Sequence, residues 1–153
     1  MSYADLDNPE LAFQAKLYTG NGGTQSITFD GEEDMQPDFV WIKNRNSNEW
    51  NQIHDSVRGV AKYFFPNANG GDNERSPNDQ VTSFDSNGFS LGAGANDSVN
   101  TNSNTYVSWN WAISTSFSND ASSTSVGSID SSGSINASAG QSIIGWTGTG
   151  SAG

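Results

Sequence analysis

The feature that most constrains this fold is a run of four large apolar residues, Phe39 to Ile42, in a chain with few such runs. Pro37 precedes the run and Asn44 closely follows it. A short apolar run with such boundaries is typical of a strand buried on both faces. Four residues are too few for a helix, and proline disfavours helical conformation in the residue before it. The sequence therefore predicts a central strand, which the rest of the chain covers.

A second strong strand is predicted at residues 105–113, where apolar and polar residues alternate. One face would hold the large apolar side chains of Val107, Trp109, Trp111 and Ile113. The other face would hold Tyr106, Ser108 and Asn110. Since successive strand residues point to opposite faces, we expect the apolar face to pack in the core. Replacing Trp109 by Ala should then cost more than about 3 kcal/mol.

Turn residues divide the remaining apolar segments into short strands. A first hairpin is predicted between residues 15–18 and 25–29, around the Gly-rich turn at 19–23. Asn87-Gly88 predicts a second, tighter hairpin between residues 82–86 and 89–91. Short aromatic strands separated by Asn, Gly and Ser clusters indicate an all-β protein. We therefore predict an antiparallel β-sandwich, jelly-roll or lectin-like, with long polar loops and extended N- and C-terminal arms.

The chain divides into four predicted regions. Residues 1–12 form an N-terminal arm, in which Asp7 or Asn8 caps a short helical turn, and residues 13–113 form the sandwich. The arm either packs on another subunit or is a frayed terminus. Residues 114–140 are rich in Ser and Gly and are predicted to be a linker or arm. Residues 141–153 hold one terminal strand.

Two distant segments resemble each other. An aromatic residue followed by Thr-Gly-x-Gly occurs at residues 18–22 and again at residues 146–150. One interpretation is descent from a tandem array. The alternatives are that the late strand completes the sheet of the first unit, or that the similarity is a chance result in a Gly- and Thr-rich chain.

The charge and composition exclude several classes of function. The net charge is −11, and six Lys and Arg residues cannot supply the cationic surface that a nucleic-acid-binding protein needs. The same charge argues against docking on an anionic membrane. The sequence has no Cys, no apolar stretch of membrane-spanning length and no pattern of a signal peptide. If the protein reaches the outside, we expect lysis or assembly to take it there.

The sequence predicts no catalytic site. His54 is the only histidine, and a histidine beside an acid is a candidate general base. However, its neighbour Asp55 would point to the opposite face of a strand and could not orient it. We expect His54 and Arg58 to hydrogen-bond neighbouring loops. The serines lie in polar stretches without a nucleophile elbow, so we predict that the protein is not an enzyme.

No metal site is predicted with a recognised spacing, although two acidic loops offer oxygen ligands. One loop contains Asp30, Glu32, Glu33 and Asp34. The other contains Asp72, Asn73, Glu74 and Asp79. Calcium prefers several such hard oxygens, so bound calcium and a merely solvated acidic loop both stay open. We predict no other cofactor.

Trp50 is the best candidate for a ligand-binding residue because it lies among amide side chains in a predicted loop. A tryptophan ring can stack on a sugar while amides such as those of Asn48 and Asn51 bond its hydroxyls. Two alternatives remain. The ring could anchor a protein interface, or it could fold back over the core.

Five phrases, in this order, resemble a poorly characterised domain of tailed bacteriophages. They are residues 18–27 and 36–45 (with WIKNR), 54–59, 83–89 (SFDSNGF) and 104–111 (with YVSWNW). This domain is seen especially in marine and cyanobacterial phages, in proteins described as tail fibre or virion structural protein. The resemblance covers about residues 13–113. The family often continues through a Ser/Gly linker into another unit that begins with a Thr-Gly-x-Gly strand, and residues 114–153 look like such a continuation.

The resemblance implies a non-enzymatic structural protein with a β-sandwich fold on the exterior of a phage particle. Because a fibre normally needs more length, a short copy favours a capsid knob or decoration protein over a tail-fibre module. Its partners would be other virion proteins, such as the major capsid or a tail protein, and a homo-oligomer is a further expectation. The alternative function is a carbohydrate-binding adhesin module that contacts a glycan on the host surface. The resemblance names no catalytic residue.

Overall fold

A computed structural model describes residues 7–68, 74–76, 79–93 and 98–150 of the chain. The regular secondary structure of this part of the chain is almost entirely β-strand. Its strands are β1 (Phe13–Thr19), β2 (Gln25–Thr28), β3 (Phe39–Asn44), β4 (Gln52–Asp55), β5 (Tyr63–Phe64), β6 (Val81–Asp85), β7 (Gly88–Leu91), β8 (Thr105–Trp111), β9 (Thr115–Asn119), β10 (Ser131–Asn136) and β11 (Gln141–Trp146). A 3-10 helix spans Pro9–Leu11, and helix α1 spans Ala121–Thr124. Neither helix has the length or apolar character needed to cross a bilayer.

The strands form three antiparallel sheets. Sheet A has the order β1-β8-β3-β4-β5, sheet B has the order β2-β7-β6, and sheet C has the order β11-β10-β9. The predicted central strand is confirmed, because β3 occupies the middle of the five-stranded sheet. Val40 and Ile42 of this strand are fully buried on one face, while Phe39 and Trp41 are partly buried on the other.

The core lies between sheets A and B. Sheet A contributes Val40, Ile42 and Tyr106, and sheet B contributes Ile27, Val81, Phe89 and Leu91. Phe29, Met35 and Val99 close the core from the connecting segments. Side chains from two facing sheets that interdigitate in this way define a sandwich. The predicted all-β antiparallel sandwich is therefore confirmed.

The orientation predicted for the Trp-containing strand, β8, is wrong. Tyr106, Ser108 and Asn110 are fully buried between the sheets, whereas Trp109 and Trp111 lie partly buried on the outer face of sheet A. The alternation itself was correct, but hydrophobicity did not identify the inner face. Ser108 and Asn110 are tolerated inside because the Asn110 amide donates to the Ser108 hydroxyl and to a backbone carbonyl of β1, and hydrogen bonds offset the cost of polar burial.

The first predicted hairpin is also wrong, because β1 and β2 belong to different sheets. β1 pairs with β8, and β2 pairs with β7. The connection between them crosses the end of the sandwich, where buried Asn100 fixes it. The Asn100 amide donates to the Gly23 carbonyl at 2.6 Å, and the Asn100 Oδ1 atom accepts from the backbone N–H of Asn21 at 3.0 Å. A Gly-rich segment held by side-chain hydrogen bonds thus makes a crossover where the pattern predicted a turn.

The second hairpin is confirmed. β6 and β7 pair antiparallel, with Asp85 opposite Gly88. Gly88 has φ of 131°, which L-residues other than glycine rarely adopt. A Cβ atom there would lie 2.0 Å from the carbonyl oxygen of Ile27. The glycine therefore permits both the reversal and the close approach of β2.

Residues 114–140 are not an irregular linker or arm, because most of them form β9, α1 and β10. Asp120 caps α1, since its Oδ1 atom accepts the backbone N–H groups of Ser122 and Ser123. The order in this segment comes from backbone pairing and capping, so the low hydrophobicity concealed it. β11 lies within the predicted terminal strand, residues 141–153. At the other end, Asn8 caps the 3-10 helix as predicted, through a 3.0 Å bond from the Glu10 backbone N–H. The domain boundaries themselves stay predictions.

Candidate functional site

Trp50 lies in the loop between β3 and β4 and remains half exposed, at 50% of its accessible area. Its ring rests against Phe65, with ring centroids 4.8 Å apart and planes inclined at 51°. The guanidinium of Arg75 lies 4.8 Å from the Phe65 ring, and Tyr63 packs edge-on against it at 5.4 Å. One face of Trp50 is thereby fixed on an aromatic support while the remainder faces solvent.

Amide side chains hold the loop that carries Trp50. The Asn44 Oδ1 atom accepts the backbone N–H groups of Asn46 and Ser47 at 3.1 and 3.0 Å. The backbone N–H of Asn51 donates to Asn67 at 2.8 Å. Within the described ranges, the Asn51 side-chain oxygen is buried without a hydrogen-bond partner.

Asn48 is exposed. The structure thus places all three predicted binding residues, Trp50, Asn48 and Asn51, on one loop, and their binding role stays a prediction. A fixed aromatic ring can stack on the apolar face of a ligand, and the exposed Asn48 amide can hydrogen-bond it. The side-chain oxygen of Asn51 is buried and does not face a ligand in this geometry.

His54 lies inside the sandwich and is completely enclosed. Its Nδ1 atom is 2.9 Å from the carbonyl oxygen of Val60, and its Nε2 atom is 3.0 Å from the side-chain oxygen Oε1 of Gln52. The ring also stacks on Tyr63, with centroids 5.2 Å apart. Both of these oxygens can only accept, and a neutral imidazole has a single N–H group, so the neutral ring donates to one of the two. The expected hydrogen bond of His54 to a neighbouring loop is present.

Burial lowers the pKa of His54 from 6.5 to about 4, and the nearby Arg58 charge acts in the same direction. The hydrogen bond to Val60 and the charge of Asp55 oppose this shift. Asp55 itself binds Arg58 through the Nε atom at 2.5 Å and through the backbone N–H at 2.8 Å. Asp55 therefore does not orient the imidazole of His54. This agrees with the prediction that neighbouring residues of a strand point to opposite faces. At neutral pH the ring is therefore uncharged, and both of its nitrogens face protein atoms and not solvent.

A buried polar network surrounds His54, and sequence reasoning missed it. The Gln52 amide donates to the Gln80 side-chain oxygen at 3.1 Å and is also bonded to the Ser98 hydroxyl. Gln52 is fully buried, and Gln80 is nearly so. These residues come from β4 and from the segments before β6 and β8, so they join parts of the chain that are far apart in sequence. No pattern in the sequence linked Gln52 to Gln80.

The first acidic loop is tied to the N-terminal segment. Asp30 forms a 3.0 Å ion pair with Lys16, and this hydrogen bond lowers the pKa of the Asp30 carboxyl. The Glu10 carboxylate accepts the backbone N–H of Glu32 at 2.7 Å, and the Gln14 amide donates to the Glu33 carbonyl. These contacts connect the first acidic loop to β1 and to the segment that precedes it.

Bound calcium is not supported by any cluster of ligands in the described ranges, where no three His, Asp or Glu residues lie close enough to hold a metal ion. Asp72 and Asn73 of the second acidic loop lie outside those ranges. Glu74 forms an ion pair with Lys62, in which the Oε1 and Nζ atoms are 2.9 Å apart. The possible calcium site stays a prediction.

A groove that the sequence did not predict runs between the outer face of sheet A and sheet C. It has a volume of about 600 Å³, within the range of small-molecule sites. Its lining consists of Phe39, Trp41, Trp111, Ile113, Gly140, Gln141, Ser142 and Ile143. Two lining residues, Trp41 and Gln141, each have a buried polar atom without a partner in the described part of the chain. The groove could not be predicted because no pattern in the sequence shows that β11, whose first residues form one wall, lies against the outer face of sheet A.

A family model described as a domain of unknown function, DUF7483, matches residues 8–153. The match extends over both the sandwich and sheet C. No curated protein and no solved structure matches the chain.

Proposed function

The chain belongs to the DUF7483 family, and we propose that it is a non-enzymatic structural protein on the exterior of a tailed-bacteriophage particle. Its partners would be other virion proteins, such as the major capsid or a tail protein. The five phrases that resemble a phage virion domain motivate this proposal. The chain's own surface chemistry and the state of its one histidine support it.

The position of these phrases in the fold is the observation that carries the proposal. They contain the core residues Val40, Ile42, His54, Phe89 and Tyr106, which lie at less than 1% exposure between sheets A and B. The resemblance therefore concerns the framework of the sandwich. A shared framework fits a protein whose role is to form a rigid displayed body, since function otherwise resides in sites added to a fold.

The state of His54 favours a role without catalysis. A general base needs a pKa near the working pH and access to the proton that it removes. His54 has a pKa of about 4, and Val60 and Gln52 occupy its two nitrogens. The buried amides around it are likewise engaged in joining the two sheets. The most polar groups of the interior thus contribute to cohesion of the sandwich.

The surface charge suits exposure to solvent on a particle. The chain has 17 acidic residues against six basic ones, and a net charge far from zero favours solubility. Loops of the sandwich, among them the Trp50 loop, would face outward. The N-terminal segment or sheet C would then contact the shell or the tail.

Detection in purified particles tests the proposal. We expect mass spectrometry to find the chain at stoichiometric level in density-gradient-purified virions of the phage that encodes it. Immunogold electron microscopy of intact particles should label the outside, and the labelled position distinguishes capsid from tail. A lysate from the same infection, depleted of particles, is the control for carry-over. Absence of the chain from intact particles would end the proposal.

A second candidate function is binding of a host-surface glycan, and the geometry of Trp50 favours it. The ring is half exposed and is supported from below by Phe65, as a platform for a sugar face requires. Asn48 is exposed on the same loop, so its amide can reach the hydroxyl groups of a bound sugar. The aromatic groove at Trp41 and Trp111 offers a second apolar surface of suitable size.

A glycan array followed by titration calorimetry tests the second candidate. We expect Trp50→Ala to weaken binding at least tenfold, in line with the stacking contribution of one exposed ring. Leu17→Ala is the matched control, because Leu17 is similarly exposed, at 59%, on another face. Absence of binding by the unmodified protein, or equal binding by the Trp50 variant, contradicts this role for the loop.

A further inference from the structure

The two faces of sheet C have different surroundings. The cross-strand register puts Gln141, Ile143 and Gly145 of β11 on one face. Gln141 and Ile143 line the groove against sheet A, and a Cβ atom added at Gly145 would lie 3.8 Å from the Val57 side chain. The Asn136 amide on the same face donates to the Ala112 carbonyl at 2.9 Å. This face is the one that packs on the sandwich.

The opposite face presents an apolar strip to solvent. Its apolar residues, which we call the C-terminal strip, are Phe117, Ile135, Ile144 and Trp146. Trp146 is 67% exposed, Ile144 48% and Ile135 37%. Gly133 lies opposite both Phe117 and Ile144 in the ladder, so no side chain separates these two.

The C-terminal strip is free of charge in a strongly acidic protein. β9, β10 and β11 contain no Asp, Glu, Lys or Arg. Only Asp120 and Asp130 of the 17 acidic residues follow residue 113, and both line a recess with Trp146 at one end of the sheet. Depletion of charge and enrichment of aromatic residues distinguish the centre of a protein interface from ordinary surface.

An internal comparison shows what covers the equivalent residue elsewhere in the chain. Tyr18 begins the same aromatic-Thr-Gly-x-Gly phrase that Trp146 begins. Tyr18 stacks on Tyr106 at 5.0 Å and packs edge-on against Phe89 at 6.2 Å, so a facing sheet covers it. Trp146 ends a similar strand, but no sheet of the described part of the chain covers its face.

We propose that the C-terminal strip is an association surface for a second copy of this chain, with two sheets C packed face to face. The strip exposes on the order of 400 Å² of apolar surface, at the scale of functional patches on monomers. A standard interface buries about 800 Å² on each partner, and the Ser, Thr and Asn side chains of these strands supply the polar remainder. A charge-free face is matched by a copy of itself, whereas it offers nothing to a basic partner.

Sedimentation velocity of the full chain tests the proposal. We expect a monomer–dimer equilibrium between 1 and 200 µM, roughly the range of modest interfaces. Ile144→Asn with Trp146→Ser should weaken association at least tenfold. Leu11→Asn with Leu17→Asn is the matched control, because it removes two apolar residues of similar exposure, 52% and 59%, from the N-terminal segment and sheet A and should leave association unchanged. Circular dichroism establishes that each variant is folded.

Salt dependence gives a second readout. Two copies with a charge of −11 repel each other, and salt screens this repulsion. Raising NaCl from 50 to 500 mM should therefore tighten the dimer about tenfold, opposite to an interface held by ion pairs. Weakening of the dimer by salt would contradict an apolar, charge-free contact.

A spin label locates the interface without altering the strip. The chain has no Cys, so Thr115→Cys, exposed on the same face of β9, carries the only label. We expect an intermolecular distance of roughly 20–40 Å, as two sheets packed about 10 Å apart allow. Ser47→Cys, exposed in the Trp50 loop, is the control and should give no short distance.

A monomer at 200 µM in high salt overturns the proposal, and so does a dimer that only the control pair weakens. Self-association does not depend on the display role. Purified protein can self-associate whether or not it is found in particles, so either idea can fail alone.

Discussion

The clearest consequence of the buried histidine is a loss of stability in mild acid. His54 is enclosed between the sheets, where burial lowers its pKa from 6.5 to about 4. In the unfolded chain the same ring has its ordinary pKa near 6.5. As the pH falls below 6.5, the His54 ring is therefore protonated in the unfolded state but stays neutral in the folded state. The free energy of unfolding must decrease over the interval in which only the unfolded ring is charged.

The sign and the size follow from the two pKa values. Above pH 6.5 the ring is neutral in both states, and it contributes no pH dependence. Between about pH 6.5 and 4 the folded state loses stability, by about 1.4 kcal/mol for each unit of pKa difference. The full loss is therefore about 3 kcal/mol, of which about 2 kcal/mol is already lost at pH 5. This is a large fraction of the stability of an ordinary domain.

Urea melts at pH 7.5 and pH 5.0 measure this loss, with His54→Gln as the control that removes the titrating ring. We expect the unmodified protein to lose about 2 kcal/mol between these pH values and the variant to lose much less. The carboxyls of Asp30 and Asp120, whose pKa values hydrogen bonds lower, titrate below this interval. Because His54 is the only histidine, its NMR signal should show no titration midpoint above pH 5. Equal pH dependence in both proteins would refute the reasoning.

Five further substitutions, grouped in three tests, probe the packing, and each is measured as the free energy of unfolding in urea. Tyr106→Ala should cost about 4 kcal/mol and Trp109→Ala about 2 kcal/mol, because the tyrosine is fully enclosed and the tryptophan lies on the outer face. A larger cost for Trp109→Ala than for Tyr106→Ala would mean that the tryptophan face of β8 packs in the core, as first predicted from the sequence. Gly88→Ala should cost more than Gly140→Ala, since both have positive φ but only Gly88 has a backbone oxygen in the way. Asp38→Ala should cost about 1–3 kcal/mol, because the buried backbone N–H of Ile113, which donates to the Asp38 carboxylate at 2.8 Å, would lose its partner. A cost below about 0.5 kcal/mol would contradict a stabilising role for this hydrogen bond.

The parts of the fold that local chemistry determines could be predicted from the sequence. Phe39–Ile42 is apolar without interruption because both of its faces are covered, so it reads as a central strand. Gly88 marks a reversal because its backbone conformation suits few other residues. Asn8 before Pro9 predicts a helical turn because the cap is formed within three residues. In each case the cause of the structure lies in neighbouring residues.

The face of β8 could not be assigned because its cause lies elsewhere in the chain. At Ser108 and Asn110, β1 offers a carbonyl to the buried Asn110 side-chain N–H group, which also donates to Ser108, while the Asn110 side-chain oxygen has no partner in the described ranges. The burial of Gln52 depends in the same way on Gln80 and Ser98. A prediction based on the alternation of apolar and polar residues assigns every Asn and Gln to the solvent-exposed face of a strand. An amide whose hydrogen bonds are satisfied by a distant strand is an interior residue.

The same reasoning explains why the candidate surfaces differ in how visible they were. Trp50 stood out because amides flank it in sequence, although its support, Phe65, lies 15 positions away and was not predicted to be near. The C-terminal strip was not predicted because Phe117 and Ile135 lie in a Ser/Gly-rich region that was expected to lack strands, so the predicted terminal strand had no known neighbours. Once β9, β10 and β11 pair, their alternation sorts Phe117, Ile135 and Trp146 onto one face. A segment with few apolar residues can therefore form a concentrated apolar surface, provided that most of them fall on the same side of the sheet.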